Sequence, residues 1–200
     1  MNEILDTDDI MLLRERGTPE EFSARNAAAY PTPHDHLLYG RGHSERVDEM
    51  IQLGNQAIKR WPFPLKYGAD LSCGNGAVLK ALDLDSKYYG DIAPGHAFHG
   101  PVEETINEIP DVNLFVLGET LEHVYDPAAL LDALMNRIDV LLLSTPLDCW
   151  GDTNAEHYWA WSQKGVEQVA SRSGFSPQEF SMVDSTAYGE PYKYGIWVFA

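Results

Sequence analysis

Two hundred residues with 44% hydrophobic content provide one sizeable α/β core and exclude two comfortable ones. Fourteen basic against thirty-one acidic side chains give a formal charge of -17, a field that repels phosphate backbones and disfavours broad nucleic-acid binding. No apolar run reaches eighteen residues, the opening MNEILDTDDI is acidic where a secretory signal is basic and apolar, and Cys73 and Cys149 form no disulfide framework. The expectation is a cytoplasmic protein with reduced thiols and no membrane partner; the sequence sets no oligomeric state.

Residues 1 to about 17 lack periodicity and read as a frayed helix or tail. Thr18-Pro19-Glu20-Glu21 is a capping box with proline in the first turn, which predicts a helix to about Tyr30. Pro31-Thr32-Pro33 stops it, and residues 34–42 follow as a loop. From Ser44, Val47, Met50, Ile51, Ala57, Ile58 and Trp61 recur at helical spacing until Trp61-Pro62-Phe63-Pro64. Residues 1–64 are therefore expected to be a helical extension covering one side of a sheet or the mouth of a site, and residues 65–200 the main domain, the two making one globular unit.

After residue 64, short apolar runs alternate with helical patterns, the form of a parallel sheet wrapped by helices. Strands are predicted at 65–71, 88–92, 97–99, 114–118 and 140–144, with helices opening near Asn75, at Asp126-Pro127 and at Ser162, the last running to about Ser173 and closed by Gly174. Segments 179–186 and 193–199 predict a terminal antiparallel hairpin. The fold class is thus α/β, a mostly parallel seven-stranded sheet ending in a hairpin, with helices on both faces.

Asp70-Leu71-Ser72-Cys73-Gly74-Asn75-Gly76 follows the first of these strands and opens a helix, where glycine lets a ligand approach backbone amides. Asp91, in Tyr89-Gly90-Asp91-Ile92, ends the second strand and has the acceptor capacity to hold both hydroxyls of a ribose. Position 79 is leucine, so the third glycine of a dinucleotide fingerprint is missing.

The segments ADLSCGNGAVL and YYGDIAPG resemble motif I and the second-strand motif of the class I S-adenosylmethionine-dependent methyltransferases, a Rossmann-like fold. The resemblance implies that S-adenosylmethionine is the cofactor. Its methionine part would lie by Gly74 and Gly76, with Asp70 supporting the loop, Asp91 on the ribose, Val102 or Glu103 beside the adenine, and Ser72, Cys73, Ile92 and Gly118 completing the site. Ser72 stands where the family has its first glycine.

After the fourth strand comes Gly118-Glu119-Thr120-Leu121-Glu122-His123-Val124-Tyr125. If this stretch turns helically, Glu119, Glu122 and His123 share one face, and His157, in the loop after strand five, returns over the same edge. Two carboxylates and two imidazoles suit a divalent cation such as Mg, Mn, Fe or Zn; unliganded, His123 or His157 could act as general base. Glu-x-x-Glu-His with a distant histidine resembles the ubiquinone-biosynthesis O-methyltransferases and the terminal 2′-O-methyltransferases of small RNAs, and implies a divalent ion beside a hydroxyl acceptor. Trp150, Tyr158, Trp159 and Trp161 are read as a lid able to stack on a planar acceptor, and His34, His36 and His43 as surface histidines. Methyl transfer to an oxygen of a small or glycan-like acceptor is the leading expectation, with an RNA end or an inactive cofactor-binding protein as alternatives.

Overall fold

The computed structural model describes residues 7–38 and 40–200. In chain order the elements are β1 (Ile10–Leu12), α1 (Pro19–Ala29), α2 (Arg41–Arg60), β2 (Tyr67–Asp70), α3 (Ala77–Ala81), β3 (Ser86–Asp91), β4 (Phe98–His99), α4 (Val102–Thr105), β5 (Leu114–Gly118), α5 (Pro127–Met135), β6 (Val140–Leu147), β7 (Trp159–Trp161), α6 (Gln163–Arg172), β8 (Pro177–Asp184) and β9 (Lys193–Phe199). Seven strands form one sheet in the order β4-β3-β2-β5-β6-β9-β8. The first five are mutually parallel, and β9 and β8 add antiparallel to β6 and to each other. This is the α/β sheet with a terminal hairpin that the alternating pattern predicts.

Alternation along the central strands sorts the core into two layers, because successive side chains leave opposite faces of a strand. Leu114, Val116, Val140, Leu142, Ile196 and Val198 meet Val47, Met50, Leu53 and Ala57 of α2 on one face. Phe115, Leu117, Leu141, Leu143, Trp197 and Phe199 meet Leu130, Leu131 and Leu134 of α5 and Val166, Val169 and Ala170 of α6 on the other. Helix α2 approaches closely where Gly118 ends β5: a Cβ there would lie 3.3 Å from Met50 Cε and 3.4 Å from Arg46 Nη1.

Helix ends follow their capping chemistry. Thr18 accepts from Glu21 N while Glu21 returns the bond to Thr18 N, Asp126 caps α5 ahead of Pro127, and Ser162 caps α6. Several expectations change. Ile10–Leu12, read as part of a frayed helix or tail, is a strand paired antiparallel with Trp159–Trp161; residues 1–6 of that reading lie outside the described ones. The loop 34–42 contains a 3₁₀ turn at His36–Leu38, and α2 begins at Arg41 rather than Ser44. Strand β6 runs on to Leu147 because β9 pairs along it from Leu141 to Leu147. The predicted aromatic lid is core: Tyr158, Trp159 and Trp161 are at most 5% exposed, with β7 folded against β1. Trp150 lies by Thr7, Asp8 and Met11, away from the main cavity. No helix among the described residues is long and apolar enough to cross a membrane.

Candidate functional site

The carboxyl ends of β2, β3 and β5 and the loop after β6 open into one cavity of 550 Å³, within the range of small-molecule sites. Its first end is the turn from β2 into α3. Gly74 and Gly76 take left-handed backbone there (φ 52° and 74°). Asp70 Oδ1 accepts from Ser72 N at 3.2 Å, Gly74 N donates to Asp91 Oδ2 at 2.7 Å, and Ala93 N donates to Asp91 Oδ1 at 2.8 Å. Asp91 thus ties the first βα turn to the end of β3. A carboxylate offers about four lone-pair positions, so two remain for a ligand.

Ser72, Gly74, Asp91, Ile92, Val102 and Glu103 line the cavity. Asp70, Cys73, Gly76 and Gly118 stand behind the lining: Cys73 is buried with its thiol on His96, Gly76 packs over Tyr89, and Gly118 faces α2. Burial pushes the Asp70 carboxyl up to about 7 despite the bond from Ser72 N, and burial likewise raises Glu103.

The other end is built from three segments remote in sequence. Residues 119–125 do not continue as a helix, which corrects the shared-face expectation. Glu119 takes φ 52°, a conformation costly for a residue with a Cβ, and Leu121–His123 form only a single 3₁₀ turn. Neighbouring residues of β6 then draw the two glutamates to opposite sides of the strand. Ser144 Oγ donates to Glu119 Oε1 and Thr145 Oγ1 to Glu122 Oε2, both at 2.9 Å. Glu119 is further held by the buried Arg46, whose Nε lies 3.9 Å away.

Glu122, His123 and His157 converge instead, each offering one atom within 4.8 Å of the others. Tyr158 N bonds Glu122 O at 2.8 Å, which brings the distant loop against this turn. His157 Nδ1 meets Asp152 Oδ2 at 2.6 Å and His123 Nδ1 meets the carbonyl of Glu156 at 2.9 Å. Because both partners are oxygen acceptors, each Nδ1 carries a proton, which turns each Nε2 away from these partners and leaves a lone pair on that of the neutral His123. Glu122 Oε1, fully buried, has no hydrogen-bond partner and lies 3.7 Å from His123 Nε2. Burial and the Glu119 charge push Glu122 well above the usual carboxylate range; burial, with His157 adding, pushes His123 down to about 3.

Two converging imidazoles and an orphaned carboxylate oxygen are a donor set suited to a divalent cation, and the Asp152 and carbonyl contacts are the outer bonds that fix metal-binding imidazoles. Glu119 lies outside this set. Asp152 was missed by sequence reading, although Asp-x-x-x-x-His spans its whole signal. The cavity wall also includes Phe22, Asn26, Tyr30, Tyr125 and Tyr192, none singled out beforehand. His34 and His43, read as surface residues, are half-buried in this wall, and burial beside Arg46 pushes His43 down to about 4; the His36 side chain lies outside what is described.

No protein-family profile and no curated protein sequence matches the chain. Solved structures do match over nearly its whole length. The 1,6-didemethyltoxoflavin-N1-methyltransferase of Burkholderia thailandensis, solved with 1,6-didemethyltoxoflavin and S-adenosylhomocysteine, superposes with a TM-score of 0.66 at 12% identity, covering 98% of this chain and 97% of that one. An S-adenosylmethionine-dependent methyltransferase of Leishmania major gives 0.65 at 13% identity, over 94% and 87%. The N-methyltransferase NodS of Bradyrhizobium japonicum, in complex with S-adenosylhomocysteine, gives 0.62 at 14%, over 90% and 96%. With its strand order, five parallel strands and terminal hairpin, the chain has the class I methyltransferase fold.

Proposed function

We propose that this chain transfers a methyl group from S-adenosylmethionine to an oxygen of a small-molecule acceptor, with a divalent cation held by Glu122, His123 and His157. The observation that carries the reading is the pairing of two ends in one cavity. The glycine turn with Asp91 is at one end, and an orphaned carboxylate oxygen beside two imidazoles is at the other. The fold supports the cofactor; the Glu-x-x-Glu-His motif supports oxygen as the acceptor atom.

Ser72, Gly74 and Asp91 would hold the methionine and ribose parts, and Ile92, Val102 and Glu103 the base. When bound, S-adenosylmethionine supplies an electrophilic methyl on a sulfonium, and the cation supplies Lewis acidity to a hydroxyl placed beside it. The chain's own residues do the positioning. Asp152 and the Glu156 carbonyl fix both imidazoles in the Nδ1-protonated form. Thr145 anchors one oxygen of Glu122 and leaves the other directed at the histidines. Arg46 and Ser144 restrain Glu119, so Glu122, His123 and His157 would be the three protein ligands. Without a cation, the burial that holds His123 at about 3 keeps it neutral and makes it a poor acceptor for the hydroxyl proton.

Calorimetry with S-adenosylhomocysteine tests the cofactor, with binding expected for the wild type and strongly weakened in Asp91→Ala; a wild type that does not bind overturns the reading. Metal content tests the cation, with one equivalent of zinc or manganese expected in the wild type and none in Glu122→Ala.

A further inference from the structure

The cavity wall has a one-sided charge. No Lys or Arg occurs among the described residues that line it, and residues 1–6 and Tyr39 supply no Lys or Arg side chain either. Asp91, Glu103, Asp126 and Glu156 do line it. Their hydrogen-bond donors are neutral: the amides of Gly74 and Ala93, of Tyr125 and of Ala129, and the Tyr30 hydroxyl. Of the nearby guanidinium groups, Arg16 lies over the Tyr125 ring and bonds that residue's carbonyl, and Arg46 holds its buried Nε 3.9 Å from Glu119. Arg46 bonds Ser144 Oγ beneath Glu119, and Arg25 bonds the Tyr158 hydroxyl and the Arg16 carbonyl.

Between these carboxylates the wall is aromatic. Phe22 stands edge-on to Tyr125 with ring centroids 5.3 Å apart, and Tyr30 edge-on to His123 at 5.9 Å. Rings so placed offer faces and edges to another ring, worth more than the area they bury.

We propose that the acceptor is an uncharged, ring-bearing molecule that carries no phosphate, sulfate or carboxylate group. This deepens the methyltransferase reading and rests on the same cavity. The cofactor's carboxylate arrives beside its own ammonium, but an anionic acceptor among these carboxylates would give up its hydration without gaining the forked Arg contact that normally replaces it. The Gly74 amide, which the glycine turn would otherwise offer, is already given to Asp91. A divalent cation at the histidine end is met first by Glu122, inside a wall of further carboxylates, so it leaves little field for a second anion.

The test uses two fluorescent probes with the same ring system, uncharged N-phenyl-1-naphthylamine and its sulfonated relative 1-anilinonaphthalene-8-sulfonate, titrated into protein saturated with S-adenosylhomocysteine. The uncharged probe is expected to bind about tenfold more tightly, a factor equal to about 1.4 kcal/mol. Ser23→Lys, which places one cation on the cavity wall, is expected to tighten the sulfonate alone and narrow the gap severalfold. A sulfonate bound as tightly as the uncharged probe, a gap unmoved by Ser23→Lys, or no binding of either probe would overturn the proposal. Labelled methyl appearing in RNA ends would overturn it as well. The preceding cofactor titration separates the two readings: if S-adenosylhomocysteine fails to bind, the methyltransferase reading falls, while the probe comparison still reports the charge preference of the wall.

Discussion

The two ends of the cavity satisfy their polar groups in opposite ways. At the glycine turn the donors find acceptors close at hand: Ser72 N on Asp70, Ala77 N on Asn75, Gly74 N on Asp91 across one strand, and Asn75 N on the His34 carbonyl. At the histidine end, Glu122 Oε1 is left over beside two imidazoles, although the supporting bonds to Thr145, Asp152 and the Glu156 carbonyl are complete. A buried polar atom without a partner costs roughly 1–3 kcal/mol, so one braced from behind beside two imidazoles is the mark of a place built for something else. The first end is a self-contained scaffold that a ligand leans on; the second is incomplete until a ligand arrives.

The largest effect that would break this contrast is a separation of functions between the ends. His157→Ala removes one of the two imidazoles and is expected to abolish bound metal and lower methyl transfer by about 1000-fold. S-adenosylhomocysteine affinity should stay unchanged in calorimetry. Asp91→Ala should do the reverse, weakening S-adenosylhomocysteine by about 10–100-fold through lost charged hydrogen bonds while metal content holds. If His157→Ala weakens the nucleoside as strongly as Asp91→Ala does, the two ends are not separate devices.

A smaller effect sharpens the role of the bracing. Asp152→Asn keeps the size of the side chain but removes the charge that holds the His157 Nδ1 proton, with Tyr192 also donating to this carboxylate at 3.3 Å. Metal affinity is expected to fall by about 10–100-fold, as for other outer bonds of metal-binding imidazoles. Raising the free zinc concentration should restore occupancy. A purely structural role would instead lower Tm and leave the metal titration unmoved.

At the glycine turn the corresponding cost is a charge. The folded Asp70 carboxyl sits near 7, above its ordinary 3.8, so the fold disfavours its ionised form. Below about pH 4 the group is protonated in both states and contributes nothing. Stability is then lost as pH rises to about 7 and stays at that lower level above. Asp70→Asn keeps an acceptor for Ser72 N and removes the ionisation. Thermal melts should show no gain at pH 4 and a gain on the order of 2 kcal/mol at pH 8, about 2–4 °C in Tm for each kcal/mol. Equal Tm values at pH 8 would show that Asp70 ionises there without penalty.

What the sequence makes legible follows the range of the forces involved. The terminal hairpin, the capping box at Thr18 and the Asp126-Pro127 start are set by neighbours within four residues, and the structure places them where those neighbours dictate. So is the glycine turn, because Asp70, the glycines and Asp91 are bound by one βα connection. The β1–β7 ribbon was hidden because three residues near one end pair with three that lie some 150 positions away. That pairing turns Trp159 and Trp161 from lid to core. Helical spacing suggested Glu119 beside Glu122, and it failed because β6 offers Ser144 and Thr145 on opposite faces, drawing the glutamates apart at the cost of a left-handed Glu119. His34 and His43 were misread because their burial depends on how α2 docks, which no local pattern encodes.

The smallest prediction tests how the N-terminal helix belongs to this contrast. Helix α1 supplies Phe22, Asn26 and Tyr30 to the cavity, and Asn26 Nδ2 bonds the carbonyl of His123 at 2.9 Å. Phe22 also packs on Tyr158, ring centroids 4.4 Å apart, beside the loop that carries His157. Thr18→Ala removes the Oγ1 that accepts from Glu21 N at 3.2 Å and is expected to cost about 1 kcal/mol, or about 2–4 °C in Tm. The helix touches the histidine end, so its loosened first turn should raise the acceptor KM and weaken N-phenyl-1-naphthylamine binding. S-adenosylhomocysteine affinity, set by Asp91 and the glycine turn, should not move. A parallel loss of S-adenosylhomocysteine affinity would mean that α1 braces the whole cavity rather than the end built to receive the acceptor.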